Sequence, residues 1–166
     1  MMFGRKRIYL AGPEVFLPFA KIEGWRLKTL CDEHGLEGRF PLDEEAGGAT
    51  DIYQACVAGV RACDAVVANI SPFRGPHMDP GTAFEIGYAI ALGKPVFGWT
   101  SHPGHMHTRI PHEHDASADL RIDRDRLLVE DFGHPENLMI CEVLMSIHET
   151  PQAAIAAAAA ALRRGR

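Results

Sequence analysis

Alternation of short apolar runs with helical stretches predicts an α/β fold, a doubly wound parallel sheet with helices on both faces. Two further observations support it. The run AVVANI (Ala65 to Ile70) is apolar without alternation, as in a strand buried on both sides. The chain has 166 residues, which suits one domain over residues 1–166 with a single core.

RIYLA (Arg7 to Ala11) is a β-prone run closed by Gly12-Pro13, a strand ending in a tight loop. Ala20, Gly24, Leu27, Leu30 and Cys31 then fall on one helical face, and Gly35 ends that helix. GRFPL (Gly38 to Leu42) is a weak second strand, followed by the loop Asp43 to Ala49. Thr50 and Asp51 suit a helix start, with Ile52, Cys56, Gly59, Val60 and Cys63 as its packing stripe. The central strand follows, then the proline loop SPFRGPHMDP, a helix from Gly81 to Leu92 and a strand from Val96 to Thr100. Ser101 to Asp125 reads as irregular, Leu127 to Val129 as a short edge strand, and Asn137 to His148 as a helix. Thr150 offers an N-cap with Pro151 in the first helical position, opening an alanine-rich helix. In a parallel sheet of this kind ligands sit beyond the carboxyl ends of the strands. The loops after Ala11, Leu42, Ile70 and Thr100 therefore converge on one mouth.

Composition removes several function classes. Hydrophobic residues are 46% and charged residues 23%, which argues against a disordered chain. The net charge of −5 gives no broad electrostatic grip on phosphate backbones, so nucleic acid is not the expected partner. No apolar run reaches the ~20 residues of a membrane helix. The basic, then apolar, start is broken by Gly12, Pro13 and Glu14, a poor secretory signal. The four cysteines have neither CxxC nor metal-finger spacing, so reduced, packed thiols in a cytoplasm are expected. Cys56 and Cys63, on the packing stripe, are not expected to be nucleophiles. His102, His105, His107, His112 and His114 crowd one loop, yet no Cys or helical HxxxH frame backs them; a solvated loop and no metal is the expectation. Neither GxGxxG nor GxxxxGK[ST] occurs, which leaves dinucleotide and NTP cradles unsupported.

The chemistry concentrates in MDPGTAFEIGYAIALG (Met78 to Gly93). The helix after Pro80 is apolar or small nearly all round, the mark of a buried helix, and Glu85 is its one charged residue. A carboxyl there is costly unless partnered or functional. Loss of water raises its pKa and makes it a stronger nucleophile or proton carrier. A narrow exposed stripe or a structural partner would also accommodate it. Asp79, six residues earlier, is either a helix-start acid favoured by the dipole or the second of two acids at one mouth. Two such acids suit cleavage at an anomeric carbon: one carboxylate attacks, and one acid serves the leaving group. Tyr9, near the end of its strand, is placed to orient Glu85 if its hydroxyl is not simply satisfied in the core. Asn69 ends the central strand and suits a loop-closing amide. Arg74 is read as pinning its loop to a carboxylate, with an anionic substrate as the alternative.

RIYLAGPEVF, ACDAVVANISPFRGPHMDPGTAFEIGYAIALGKPVFG and PENLM together resemble the nucleoside 2-deoxyribosyltransferases, from Arg7 to about Met145. The resemblance implies a flavodoxin-like, Rossmann-like sheet of about five strands, no cofactor, and transfer of 2-deoxyribose between nucleobases with retention. It implies deoxynucleosides and free nucleobases as the partners. By motif, Glu85 would be the nucleophile, Asp79 would manage the departing base, and Tyr9 would orient Glu85. Gly12, Phe16, Asn69 and Glu45 would border the substrate. Asn137 and Met139 would complete a neighbouring subunit's pocket, which implies a homo-oligomer. Two departures bear on the base. Cys56 stands where members commonly carry Asn or Asp, and Glu45 where some carry Gln. A carboxylate at 45 favours base edges that present N–H groups.

Overall fold

The computed structural model describes residues 4–44 and 47–164. Strands β1 (Arg7–Ala11), β2 (Glu37–Arg39), β3 (Ala65–Asn69) and β4 (Val96–Trp99) alternate with helices α1 (Ala20–Glu33), α2 (Ala49–Ala62) and α3 (Pro80–Ala91). An antiparallel hairpin, β5 (His112–Asp115) and β6 (Leu120–Asp123), follows. Then come a one-turn helix α4 (Leu138–Cys141), the strand β7 (Ser146–His148) and the closing helix α5 (Pro151–Arg164). The main sheet has five parallel strands in the order β2-β1-β3-β4-β7. Among the described residues no helix is long and apolar enough to cross a membrane.

Period-two alternation divides β1 between two cores. Ile8 and Leu10 pack with Leu27, Cys31, Val67, Phe97 and the small buried face of α5. Tyr9 and Ala11 turn the other way, toward Val60, Val66, Met78, Ile86 and Ala89 on the α2 and α3 side. The helices thus cover both faces, as the continuous apolar strands require. Tyr9 is thereby committed to the face that carries α3. Gly59 makes room for its ring: a Cβ at 59 would lie 2.7 Å from Tyr9 Cε2.

Five local expectations need correction. The second strand is Glu37–Arg39 rather than Gly38 to Leu42, because Pro41 cannot donate to a ladder. The stretch expected to be irregular holds a 3₁₀ turn (Met106–Arg109) and the β5–β6 hairpin. β5 is polar and mostly exposed, and β6 is short and only half-buried, so no core-strand pattern announces them. Leu128 makes one isolated antiparallel bridge to Ile122 instead of starting an edge strand. The helix expected over Asn137 to His148 stops after one turn, and Ser146–His148 becomes the fifth strand. Its apolar spacing fits a helix, but the open edge of β4 supplies backbone partners that only tertiary structure reveals. Finally, α3 is not covered all round: Phe84 is 50% exposed and Ile90 36%. Its sheet-facing side, Thr82, Ile86 and Ala89, is buried.

Candidate active site

The carboxyl ends of β1 and β3 and the start of α3 meet on the α2 side of the sheet. The loop SPFRGPHMDP brings the chain from β3 to Asp79, which caps α3: its Oδ2 accepts from the Thr82 N–H at 2.8 Å and from Thr82 Oγ1 at 2.9 Å. Pro80 occupies the first helical position, where its missing N–H costs nothing. Glu85 lies one and a half turns further on and turns back toward β1. The Tyr9 hydroxyl donates to Glu85 Oε1 at 2.6 Å. The half-buried Cys56 thiol on α2 stands beside both groups.

Burial pushes the Glu85 carboxyl up to about 7. The Tyr9 hydroxyl works against that rise, the Asp79 charge adds to it, and the Cys56 thiol lowers it. Burial and the neighbouring carboxylate push the Tyr9 hydroxyl well above the usual phenol range, so it remains a donor at neutral pH. No lysine or arginine neutralises Glu85 among the described residues. The result is a protected acid with one firm hydrogen bond, roughly half ionised at neutral pH, beside a second acid. An arrangement of this kind can attack an electrophilic carbon or carry a proton.

Tyr9, Asp79 and Glu85 are therefore brought together. Asn69 and Gly12 form a second cluster at the ends of β3 and β1. The Asn69 amide donates to Glu14 Oε1 at 2.5 Å, and its oxygen accepts from the Ser71 N–H at 2.9 Å. Gly12 is needed there, since a Cβ would fall 2.0 Å from Glu14 Oε2. Glu14 is buried, and burial raises its carboxyl above the ordinary range. The sequence reading treated Glu14 only as an interruption of an apolar run; an acid at that point of a strand end was the signal available.

Phe16 stacks on Phe73 with ring centroids 5.0 Å apart. Arg74 lies over both rings, at 5.1 and 4.7 Å, with φ +52°. The expected carboxylate for Arg74 is absent among the described residues; the guanidinium pins its loop through the aromatic faces. Cys56 is also not a plain packing residue, given its place beside Tyr9 and Glu85. Glu45 lies outside the described residues.

Asn137 and Met139 open α4. Asn137 Oδ1 accepts from the Met139 N–H at 3.0 Å, and its amide donates to Glu130 Oε2 at 3.0 Å. Met139 is 68% exposed. Glu136, only 1% exposed, ties this segment to the proline loop. It accepts from the Met78 N–H at 2.7 Å and the Asn137 N–H at 2.9 Å, and pairs with His77 Nδ1 at 2.9 Å. Sequence reading missed Glu136, whose partners at 77 and 78 are remote along the chain. Tyr9 also borders a cleft of about 140 Å³ lined by Phe40, Pro41, Glu44, Ala55 and Ala58, but Glu85 does not line it.

Comparison with known proteins fits this frame. Residues 8–139 match the profile of the nucleoside 2-deoxyribosyltransferase family. A solved 2-desoxiribosyltransferase from Leishmania mexicana superposes with a TM-score of 0.80 at 35% identity, covering 93% of this chain and 97% of that one. A 2-deoxyribosyltransferase from Bacillus psychrosaccharolyticus shares the fold, with a TM-score of 0.56 at 21% identity over 89% of this chain and 88% of that one. The uncharacterized protein C191.05c of Schizosaccharomyces pombe is 38% identical over 104 residues, 57% of this chain. That match spans about half (49%) of the yeast protein. With most of its length inside the family profile, this chain belongs to the nucleoside 2-deoxyribosyltransferase family.

Proposed function

We propose that the protein transfers 2-deoxyribose from a deoxynucleoside to a second nucleobase by double displacement at Glu85. The observation that carries this reading is the half-buried Glu85 carboxyl held by Tyr9 at 2.6 Å, with no basic partner among the described residues and with Asp79 one and a half turns before it. In the first half-reaction Glu85 Oε attacks C1′. The C1′–N bond breaks, its electron pair goes to the departing base, and that base takes up one proton. We assign the relay of that proton to Asp79, whose Oδ1 makes no hydrogen bond among the described residues. In the second half-reaction a nitrogen of the incoming base attacks C1′, the ester bond to Glu85 breaks, and the base gives up its proton. Two inversions give retention. The donated hydroxyl of Tyr9 fixes which carboxylate oxygen is free to attack and stabilises the anion released in the second step.

Exclusion of water separates transfer from hydrolysis. One chain leaves the mouth bordered by exposed Phe16 and Phe19, and Met139 projects from α4. This supports a homo-oligomer in which Asn137 and Met139 of one copy close the mouth of another. The Glu130 contact of Asn137 would then be exchanged for one to the sugar.

The experiment is incubation of one deoxynucleoside with a different free base, followed by chromatography. A new deoxynucleoside, lost in Glu85→Ala, supports the reading. Release of free deoxyribose without exchange would instead make the enzyme a nucleoside N-glycosidase.

A further inference from the structure

The structure brings together three ligand groups that belong to neither Glu85 nor its surroundings. His107 lies on the 3₁₀ turn after β4, His105 immediately before it, and Asp131 on the loop that leads to Glu136 and Asn137. One ligand atom from each lies within 4.8 Å of the others. We propose that His105, His107 and Asp131 form a binding site for a zinc-class divalent ion, which clips the 3₁₀ turn to the Asp131 loop.

Asp131 Oδ1 is 2.9 Å from His107 Nδ1 and 3.8 Å from His105 Nδ1. Tetrahedral zinc with bonds near 2.0–2.1 Å sets its ligand atoms about 3.4 Å apart, so the two separations bracket what one ion demands. An independent observation concerns His107 Nδ1. This atom is buried and has no hydrogen-bond partner among the described residues, even though the Asp131 oxygen is close. The two atoms approach without the angle of a hydrogen bond, as ligands directed at a common third point do. A buried imidazole nitrogen left in that state costs stability unless something takes its lone pair.

The surroundings suit a metal of this type. Arg121 holds the other carboxylate oxygen, Oδ2, at 3.0 Å and leaves Oδ1 to face the histidines. His112 packs edge-on against His107, with ring centroids 5.9 Å apart, while its Nδ1 lies 2.7 Å from the Ile110 carbonyl. Two imidazoles and one carboxylate favour borderline ions such as Zn²⁺ over Mg²⁺ or Ca²⁺, which take oxygen ligands. Three protein ligands leave a fourth position for water. The bond across residues 105 and 131 would steady the segment that carries Glu136 and Asn137. It does not depend on which reaction Glu85 performs.

The test is calorimetric titration of the tag-free, chelator-treated full chain with Zn²⁺, with Co²⁺ as a visible-absorption probe. One equivalent binds, the thermal midpoint rises on loading, and the Co²⁺ complex shows the intense bands of low coordination. His105 is exposed, so His105→Ala keeps the fold; it and Asp131→Asn each weaken binding by at least about tenfold. His102→Ala and His114→Ala leave the affinity unchanged. Absence of saturable binding overturns the proposal. So does binding that His105→Ala and Asp131→Asn leave intact, or that the two control variants weaken equally.

Discussion

Glu85 gathers the opposing forces of the site. Burial favours its neutral form, while chemistry as a nucleophile needs the anion. With the pKa near 7, kcat/KM for a deoxynucleoside rises from pH 5 to 8 with an inflection near neutrality, measured as a pH–rate profile. The same shift sets the sign of a stability effect. The folded pKa lies above the unfolded value of about 4.3, so the native state holds the proton more tightly. Stability from this group is fully present below the unfolded pKa and is lost as pH rises through about 7. Glu85→Gln, which still accepts from Tyr9, is therefore more stable than the parent by roughly 1–3 kcal/mol at pH 8 and no more stable at pH 4. Chemical denaturation at the two pH values checks it. Tyr9→Phe removes the donor that lowers the Glu85 pKa. It lowers kcat by about 10²-fold and moves the pH inflection upward. A merely structural tyrosine would leave the inflection in place.

The elements explain how distant residues reach one place. Where burial spoke through the pattern, the sequence was legible: β1 and β3, the Thr150 start of α5, and the Asp79–Glu85 spacing on α3. Thr150 Oγ1 indeed accepts from the Ala153 N–H at 3.3 Å. The parts that were not legible depend on contacts across long sequence gaps. β7 is a strand because β4 has a free edge, although LMICEVLMSI spaces its apolar residues like a helix. The β5–β6 hairpin pairs the polar, mostly exposed HEHD with the half-buried LRID, whose two apolar residues make too short an alternation to announce a strand. Glu136 and Asp131 acquire their roles from partners in the proline loop and the histidine turn. Two variants probe this scale. Glu136→Gln turns one amide donor toward backbone N–H groups and costs about 2–3 kcal/mol; because Asp79 and Asn137 both lose their anchor, KM rises as well. Gly59→Ala drives a methyl into the Tyr9 ring and costs about 1–3 kcal/mol, read by thermal melting.

At the scale of the molecule, several exposed apolar residues group on neighbouring elements. Tyr53, Phe84 and Ile90 lie on α2 and α3, and Phe84 stacks on Tyr88 with centroids 6.1 Å apart. Phe16 lies at the mouth against Phe73, Phe19 and Trp25 are exposed before and on α1, and Met139 is exposed on α4. The aromatic group of Tyr53, Phe84 and Tyr88 on α2 and α3 is the patch best suited to an interface. Sedimentation is expected to give a mass of at least two chains, and Phe84→Glu to shift the distribution toward the single chain. Met139→Glu should depress base exchange more than it depresses folding, since Met139 packs little within its own chain. On the proposed mechanism, the doubly wound sheet supplies the rigid part of the site, and association of copies would supply the cover that keeps water from the ester.

The most direct test of the central claim is mass analysis of the protein quenched during turnover of a deoxynucleoside in the absence of an acceptor base. The account predicts one added deoxyribosyl group, which peptide mapping assigns to Glu85 and which disappears when acceptor base is supplied. A protein that exchanges bases while carrying no such adduct, or that carries it on another residue, would contradict it.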